Sequence, residues 1–124
     1  MVIPLRPRKP RSVWLWRTEQ QADGAIAPHL VFKVAGKMFA LCQLSESPLQ
    51  LSLKCEPELA EQLRLAHPAV IPGYHLNKRH WNTVIIDGSL PDEMIGDMLE
   101  DSYDLVVSQL PKARQRALAW RSGA

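Results

Sequence analysis

No apolar run in this sequence approaches the roughly 18 residues needed to cross a membrane. The N-terminus is basic, but its apolar run Val13-Trp14-Leu15-Trp16 is too short for a signal-peptide core. Cysteine is scarce: Cys42 and Cys55 are the only two, and neither stands in a CxxC or CxxH pattern. They read as reduced structural thiols in a reducing compartment, so the expected location is cytoplasmic. Also missing are a Gly-x-Ser-x-Gly elbow, a phosphate loop and a His–Cys pair at catalytic spacing. These absences argue against an enzyme, and no cofactor is implied. With 124 residues and no repeat or interdomain linker, the chain has room for one domain with a single modest core.

Positive charge is also short where the overall balance suggests it. The formal net charge is +2, yet residues 1–17 hold Arg6, Arg8, Lys9, Arg11 and Arg17 with no acid, a local +5. The other 107 residues carry ten basic and thirteen acidic groups, 10 − 13 = −3. The basic isoelectric point therefore says nothing about a polyanionic partner, and any such binding has to come from local patches.

Three prolines among residues 1–11 predict an extended, irregular start. Ser12 is placed to cap a short helix over residues 13–22, stopped by Gly24, and this helix should bury Trp14 or Trp16 against the sheet. Residues 29–44 read as a hairpin whose two-residue loop, Ala35-Gly36, sets Phe32 opposite Phe39 and Leu30 opposite Leu41. Gly36 suits a tight turn, whereas Ala35 would be strained in one that demands two positive φ angles. Leu49, Leu51 and Leu53 alternate with Gln50, Ser52 and Lys54 in a third strand, which a five-residue loop keeps on the Phe39/Leu41 face. The opposite face then shows Lys33, Gln50, Ser52 and Lys54. Pro57 opens a helix with Glu56 as its cap and Leu59, Leu63 and Ala66 as its buried stripe, ending at His67-Pro68. A short strand over residues 74–76, a firmer one over 81–86, and a long helix over 90–110 follow; the helix is capped by Ser89, sets Ile95, Met98, Leu99, Ser102, Leu105 and Val106 on one face, and turns its many acids to solvent. A basic tail, residues 112–124, closes the chain.

The chemistry concentrates in residues 72–81, PGYHLNKRHW. Lys78 and Arg79 can neutralise phosphates, Asn77 can donate to a phosphate or base edge, and Tyr74, His75, His80 and Trp81 can stack or hydrogen-bond. Lys37 on the hairpin and Lys33 and Lys54 on the open face of the sheet are further candidate phosphate contacts. Folding roles compete with these: Trp81 as packing, His75 as a turn hydrogen bond, Asn77 as the side chain that shapes the turn. Only Lys78, Arg79 and His80 are hard to explain as folding residues. His75 and His80 stand five apart with no partner carboxylate, which is a poor metal-ligand pattern.

The segments FKVAGKMFAL, LSLKCEPELAEQLR, PGYHLNKRHWNTV, DGSLPDEMI and SYDLVVSQLP, in the order strand-strand-strand-helix-strand-helix, resemble the MmcQ/YjbR family over residues 29–111. The resemblance implies an α+β fold similar to frataxin and CyaY, a two-layer sandwich of an antiparallel sheet with helices packed on one face. It also implies DNA binding by a double-wing arrangement. Residues 1–28, rich in Pro and Arg, depart from the family pattern, which opens with a helix ending in Leu-Pro-Gly.

The expected function is DNA binding through the basic and aromatic turn, with Tyr74, His75, Asn77, Lys78, Arg79, His80 and Lys37 as contacts. The alternatives are a non-enzymatic protein–protein interaction module, or frataxin-like metal or partner binding through the acidic C-terminal helix.

Overall fold

The computed structural model describes residues 19–23, 29–43, 46–73 and 76–121. In chain order the elements are β1 (Glu19–Asp23), β2 (His29–Val34), β3 (Lys37–Gln43), β4 (Leu49–Lys54), α1 (Pro57–Ala66), β5 (Val70–Pro72), β6 (Trp81–Ile86), α2 (Asp92–Ser108) and α3 (Lys112–Arg121). The strands form one antiparallel sheet in the order β1-β2-β3-β4-β6-β5. Both α1 and α2 lie on one face of it: Asn82 Nδ2 donates to the Ala60 carbonyl at 3.3 Å, and Ser102 Oγ to the Phe39 carbonyl at 2.6 Å. Leu53 and Val84 of the sheet share a core with Leu63 of α1 and Met98, Tyr103 and Val106 of α2. This is the two-layer α+β arrangement that the hydrophobic alternation predicts.

The hairpin register differs from the expected one in an instructive way. At the tip, Val34 pairs with Lys37 and Lys33 with Met38, as a two-residue loop dictates, but Phe32 then pairs with Ala40 and Leu30 with Cys42. One extra residue, Phe39, is inserted in β3. Such a bulge lets two successive side chains point to the same side, and both Phe39 and Ala40 are fully buried. Phe39 stands 5.3 Å from Tyr103 in an edge-to-face pair and 6.3 Å from Phe32, contacts worth about 0.5–1.5 kcal/mol each beyond their buried area. Beyond the bulge the parity reverses. Leu41 therefore leaves the core face and lines up with Ser52 and Thr83 on the other.

That second face is not the open surface expected. Ser52 and Thr83 are fully buried and share a hydrogen bond of 2.8 Å. At the tip, both Ala35 (φ 49°) and Gly36 (φ 77°) take positive φ, so the alanine accepts the strain that favoured another turn type.

Other boundaries move for local reasons. Residues 19–23 pair with β2 as an edge strand instead of ending a helix, which satisfies the outer backbone groups of β2. The remaining expectations for the N-terminus, a capped helix start at Ser12 and burial of Trp14 or Trp16, lie outside the described residues. A short strand forms at Val70–Pro72 and Leu76 lies in the turn before β6; Tyr74 and His75, in the strand expected over 74–76, lie outside the described residues. Glu56 holds the N-cap position of α1 without a side-chain bond, and Ala60 is buried where Ala66 was expected to be. Pro91, not Ser89, caps α2, because the Ser89 N–H bonds the Asp87 side chain at 2.9 Å. Of the α2 stripe, Met98, Ser102 and Val106 are buried and Ile95, Leu99 and Leu105 half-buried, and Glu100, expected in solvent with the other acids, is buried as well. The basic tail is helical from Lys112 to Arg121.

Candidate functional site

Antiparallel pairing decides which residues meet at each end of the sheet. Strands β2, β4 and β5 run toward one end, and β3 and β6 start from it. The hairpin tip, the end of β4 and the turn between β5 and β6 therefore converge there. Lys54 pairs with Trp81, the Cys55 N–H bonds the His80 carbonyl at 2.7 Å, and the Gly73 N–H bonds the Trp81 carbonyl at 2.9 Å. The end of α2 joins them: a groove of about 300 Å3 is lined by Lys37, Met38, Lys54, Val106, Gln109 and Leu110.

The turn itself is built by Asn77. Its side-chain Oδ1 accepts the Arg79 N–H at 2.9 Å, and its carbonyl accepts the N–H of Trp81 at 2.9 Å and of His80 at 3.2 Å. Asn77 thus acts as a turn-former, the folding role available to it in the sequence. Lys78 and Arg79 are consequently held outward and exposed, while His80 is half-buried. Trp81 is 9% exposed, so its role is packing. Gly73 makes this packing feasible: a Cβ there would fall 2.8 Å from the Trp81 Cβ and 3.0 Å from its carbonyl oxygen. Tyr74 and His75 lie outside the described residues.

Asn77, Lys78, Arg79 and His80 thus share one turn, and Lys37, also exposed, stands on the neighbouring hairpin at the same end. Residues 18–111 contain six basic groups, Lys33, Lys37, Lys54, Arg64, Lys78 and Arg79, against thirteen acids. Five of the six, all but Arg64, lie at this end, Lys33 one pair behind the hairpin tip and opposite Glu19 of β1. Lys54 has a partner there, its Nζ donating to Gln109 Oε1 at 3.2 Å. Acids temper the patch: Glu19 of β1 pairs opposite Lys33, Asp101 lies near enough for its charge to act on Cys55, and Glu56 and Glu58, both exposed, open α1 just after the Cys55–His80 bond. Acids of the first turn of α2, Asp92 and Glu93, follow β6 at the opposite end. Sequence reasoning missed α3, where Lys112, Arg114 and Arg116 are exposed. Its signal was composition alone, which a tail and a helix share.

A second concavity, of about 380 Å3, opens between α1 and α2. Its lining includes Leu53, Leu59, Val84 and Met94, with Asp97 and Asp101 along one side. Acidic groups beside an apolar floor make it unsuited to phosphate. Asn82, 3% exposed, also lines it, and its Oδ1 has no hydrogen-bond partner. Cys55 borders the same cleft. Burial pushes its thiol up to about 11, reinforced by the negative charges of Asp101 and Glu56. A thiol so shifted is a poor nucleophile at neutral pH, and burial raises Cys42 likewise. Among the described residues, no group of three or more His, Cys, Asp or Glu is arranged to hold a metal ion, and no helix is long and apolar enough to cross a membrane.

Comparison with known proteins follows the same outline. The YjbR family model matches residues 15–105, which extends the likeness into the N-terminal segment from Leu15 onward. The YjbR protein of Escherichia coli K12 is 45% identical over 86 residues, 69% of this chain and 73% of that protein. YbdF of Escherichia coli O157:H7 is 34% identical over 86 residues, 69% and 70% of the two chains. Among solved structures, a Deinococcus radiodurans protein with a DUF419 domain superposes with a TM-score of 0.79 at 42% identity, covering 88% of this chain and 84% of that one. A Pseudomonas syringae protein gives a TM-score of 0.64 at 30% identity, covering 73% and 88%. Sequence identity and overall superposition agree, and the chain belongs to the MmcQ/YjbR family.

Proposed function

We propose that the chain is a non-catalytic DNA-binding protein that grips the phosphate backbone of a duplex with the basic end of its sheet. The observation that carries this reading is the convergence of Lys37, Lys78 and Arg79, all exposed, on two tight turns of a domain that is elsewhere acidic. Two turns at one end of the sheet, with the end of β4 between them, make two projections able to reach phosphates, while the acidic first turn of α2 stands at the opposite end. Lysine and arginine on rigid turns position a duplex without reading its sequence, so the expected binding is sequence-tolerant.

The test is a salt titration of a labelled random duplex with the parent chain and K78A/R79A. Each phosphate contact contributes a slope of about −0.9 in log affinity against log salt. The double variant should bind more weakly across sequences, with a slope flatter by up to about two units. Neither side chain is in the core, so the fold should persist. A folded double variant that binds duplex as tightly as the parent makes the turn structural, and an interaction module for a protein partner becomes the better reading.

A further inference from the structure

We infer that α3 is a third phosphate-binding element of the same end, so that a duplex is held by the hairpin tip, the Asn77 turn and this helix together. The inference rests on the DNA-binding reading and adds to it a helix that composition alone marks as a tail. Helix α3 reads KARQRALAWR, with Lys112, Arg114, Arg116 and Arg121 and no acid. A polar, basic helix is ordinarily just solvated, and its attachment argues for more than that. Gln115 Nε2 donates to the carbonyls of Leu110 at 2.7 Å and Ser108 at 3.2 Å, which folds the helix back on the end of α2. Leu118, one turn on, packs against the core. Gln115 and Leu118 therefore mark the inner side, and Lys112, Arg114 and Arg116 remain exposed.

Position supplies the second argument. Leu110, two residues before the helix, lines the groove with Lys37 and Lys54. The start of α3 thus sits beside the hairpin tip, with its positive dipole end there and no acid in its first turn. Electrostatic need supplies the third. Glu56 and Glu58, which follow the Cys55–His80 bond, weaken the positive field of the Lys78–Arg79 turn, so further cations would strengthen the grip. Helix α3 adds three exposed cations without adding an acid.

The full chain, fluorescence anisotropy with a labelled random duplex, and a salt series from about 50 to 200 mM provide the test. Removing three contacts, as K112Q/R114Q/R116Q, should flatten the slope by about 2.7 and weaken binding at the low-salt end more than at the high-salt end. Glutamine retains helix propensity, and circular dichroism checks the fold. The single variants, each expected to remove about 0.9 of slope, decide the matter if the triple variant loses structure. R64Q, a cation on α1 away from this end, should leave the slope within about 0.3 of the parent, well below the effect of one lost contact. The basic N-terminal residues are common to all the chains compared and cancel in the differences. A parent that binds with a slope the triple variant shares overturns the role of α3 and leaves the two-turn reading standing. A parent with no salt-dependent duplex binding overturns both.

Discussion

Replacing Ser102 with alanine should be far more damaging than the loss of one hydroxyl suggests. The side chain is fully buried, and its Oγ serves two elements at once. It donates to the carbonyl of Phe39 at 2.6 Å and accepts the N–H of Lys54 at 2.8 Å. Phe39 is the inserted residue of the bulge and Lys54 the last residue of β4. Both backbone groups thus sit where the regular ladder is interrupted or ends. Alanine takes away the hydroxyl's bond to a buried acceptor, at about 1–3 kcal/mol, and its bond from a part-buried donor, at the lower end of that range. The sum is about 2–4 kcal/mol, a large fraction of the 5–15 kcal/mol typical of a whole domain. Urea denaturation should show it as a lowered midpoint with an unchanged slope. Ser108→Ala is the control: that hydroxyl is exposed and bonds only the Leu105 carbonyl within its own helix, so its loss should cost about 0.5 kcal/mol or less. If Ser102→Ala destabilises no more than Ser108→Ala, the serine is not what ties α2 to the bulge.

Gly73→Ala should destabilise by about 1–3 kcal/mol, since its Cβ meets Trp81 main-chain and Cβ atoms that cannot swing aside; a thermal melt matching the parent would remove the reason given for this glycine. Cys55 should resist alkylation at pH 8 by about 100-fold relative to a free thiol, a comparable rate refuting the raised value of about 11. Because that value is raised on folding, its stabilising contribution is full below the ordinary thiol range and is lost as pH rises toward about 11. Cys55→Ala should therefore flatten the alkaline loss of stability, which denaturation at a series of pH values would measure.

The elements legible in the sequence were those with short-range rules. Pro57 and His67-Pro68 bracket α1, and the helix, Pro57–Ala66, has those bounds. The alternation of leucine fixes β4, and Trp81–Ile86 is the strand its residues suggest. Asn77 was legible as a turn-former because the Asx bond is local. The bulge was not legible, since nothing in FKVAGKMFAL distinguishes a regular ladder from one with an inserted Phe39 until Tyr103 and Ser102, more than sixty residues on, are packed against it. Tyr103 itself stood outside the expected stripe of α2, yet it is 2% exposed at the centre of the core. The gathering of Lys37 with Lys78 and Arg79 was equally hidden. It follows from strand directions and from the placement of β6 between β4 and β5, a non-local choice that no segment encodes alone.

The basic end contains two kinds of positive charge, and the difference bears on function. Lys54 is explained by the fold: its Nζ bonds Gln109 Oε1 just past the last turn of α2, which has no basic residue of its own to meet the negative end of its dipole. Removing it would disturb the junction between α2 and α3 whether or not a duplex ever binds, so a weakened Lys54 variant would not discriminate. Lys37, Lys78, Arg79, Lys112, Arg114 and Arg116 are exposed, and the packing of the domain gives them no task. Exposed lysines and arginines carry side-chain entropy and contribute little to stability wherever they sit. Their concentration at one end, across three separate elements of a domain that is elsewhere acidic, is therefore not accounted for by folding energetics. An extended anion lying across the hairpin tip, the turn and the helix would account for it.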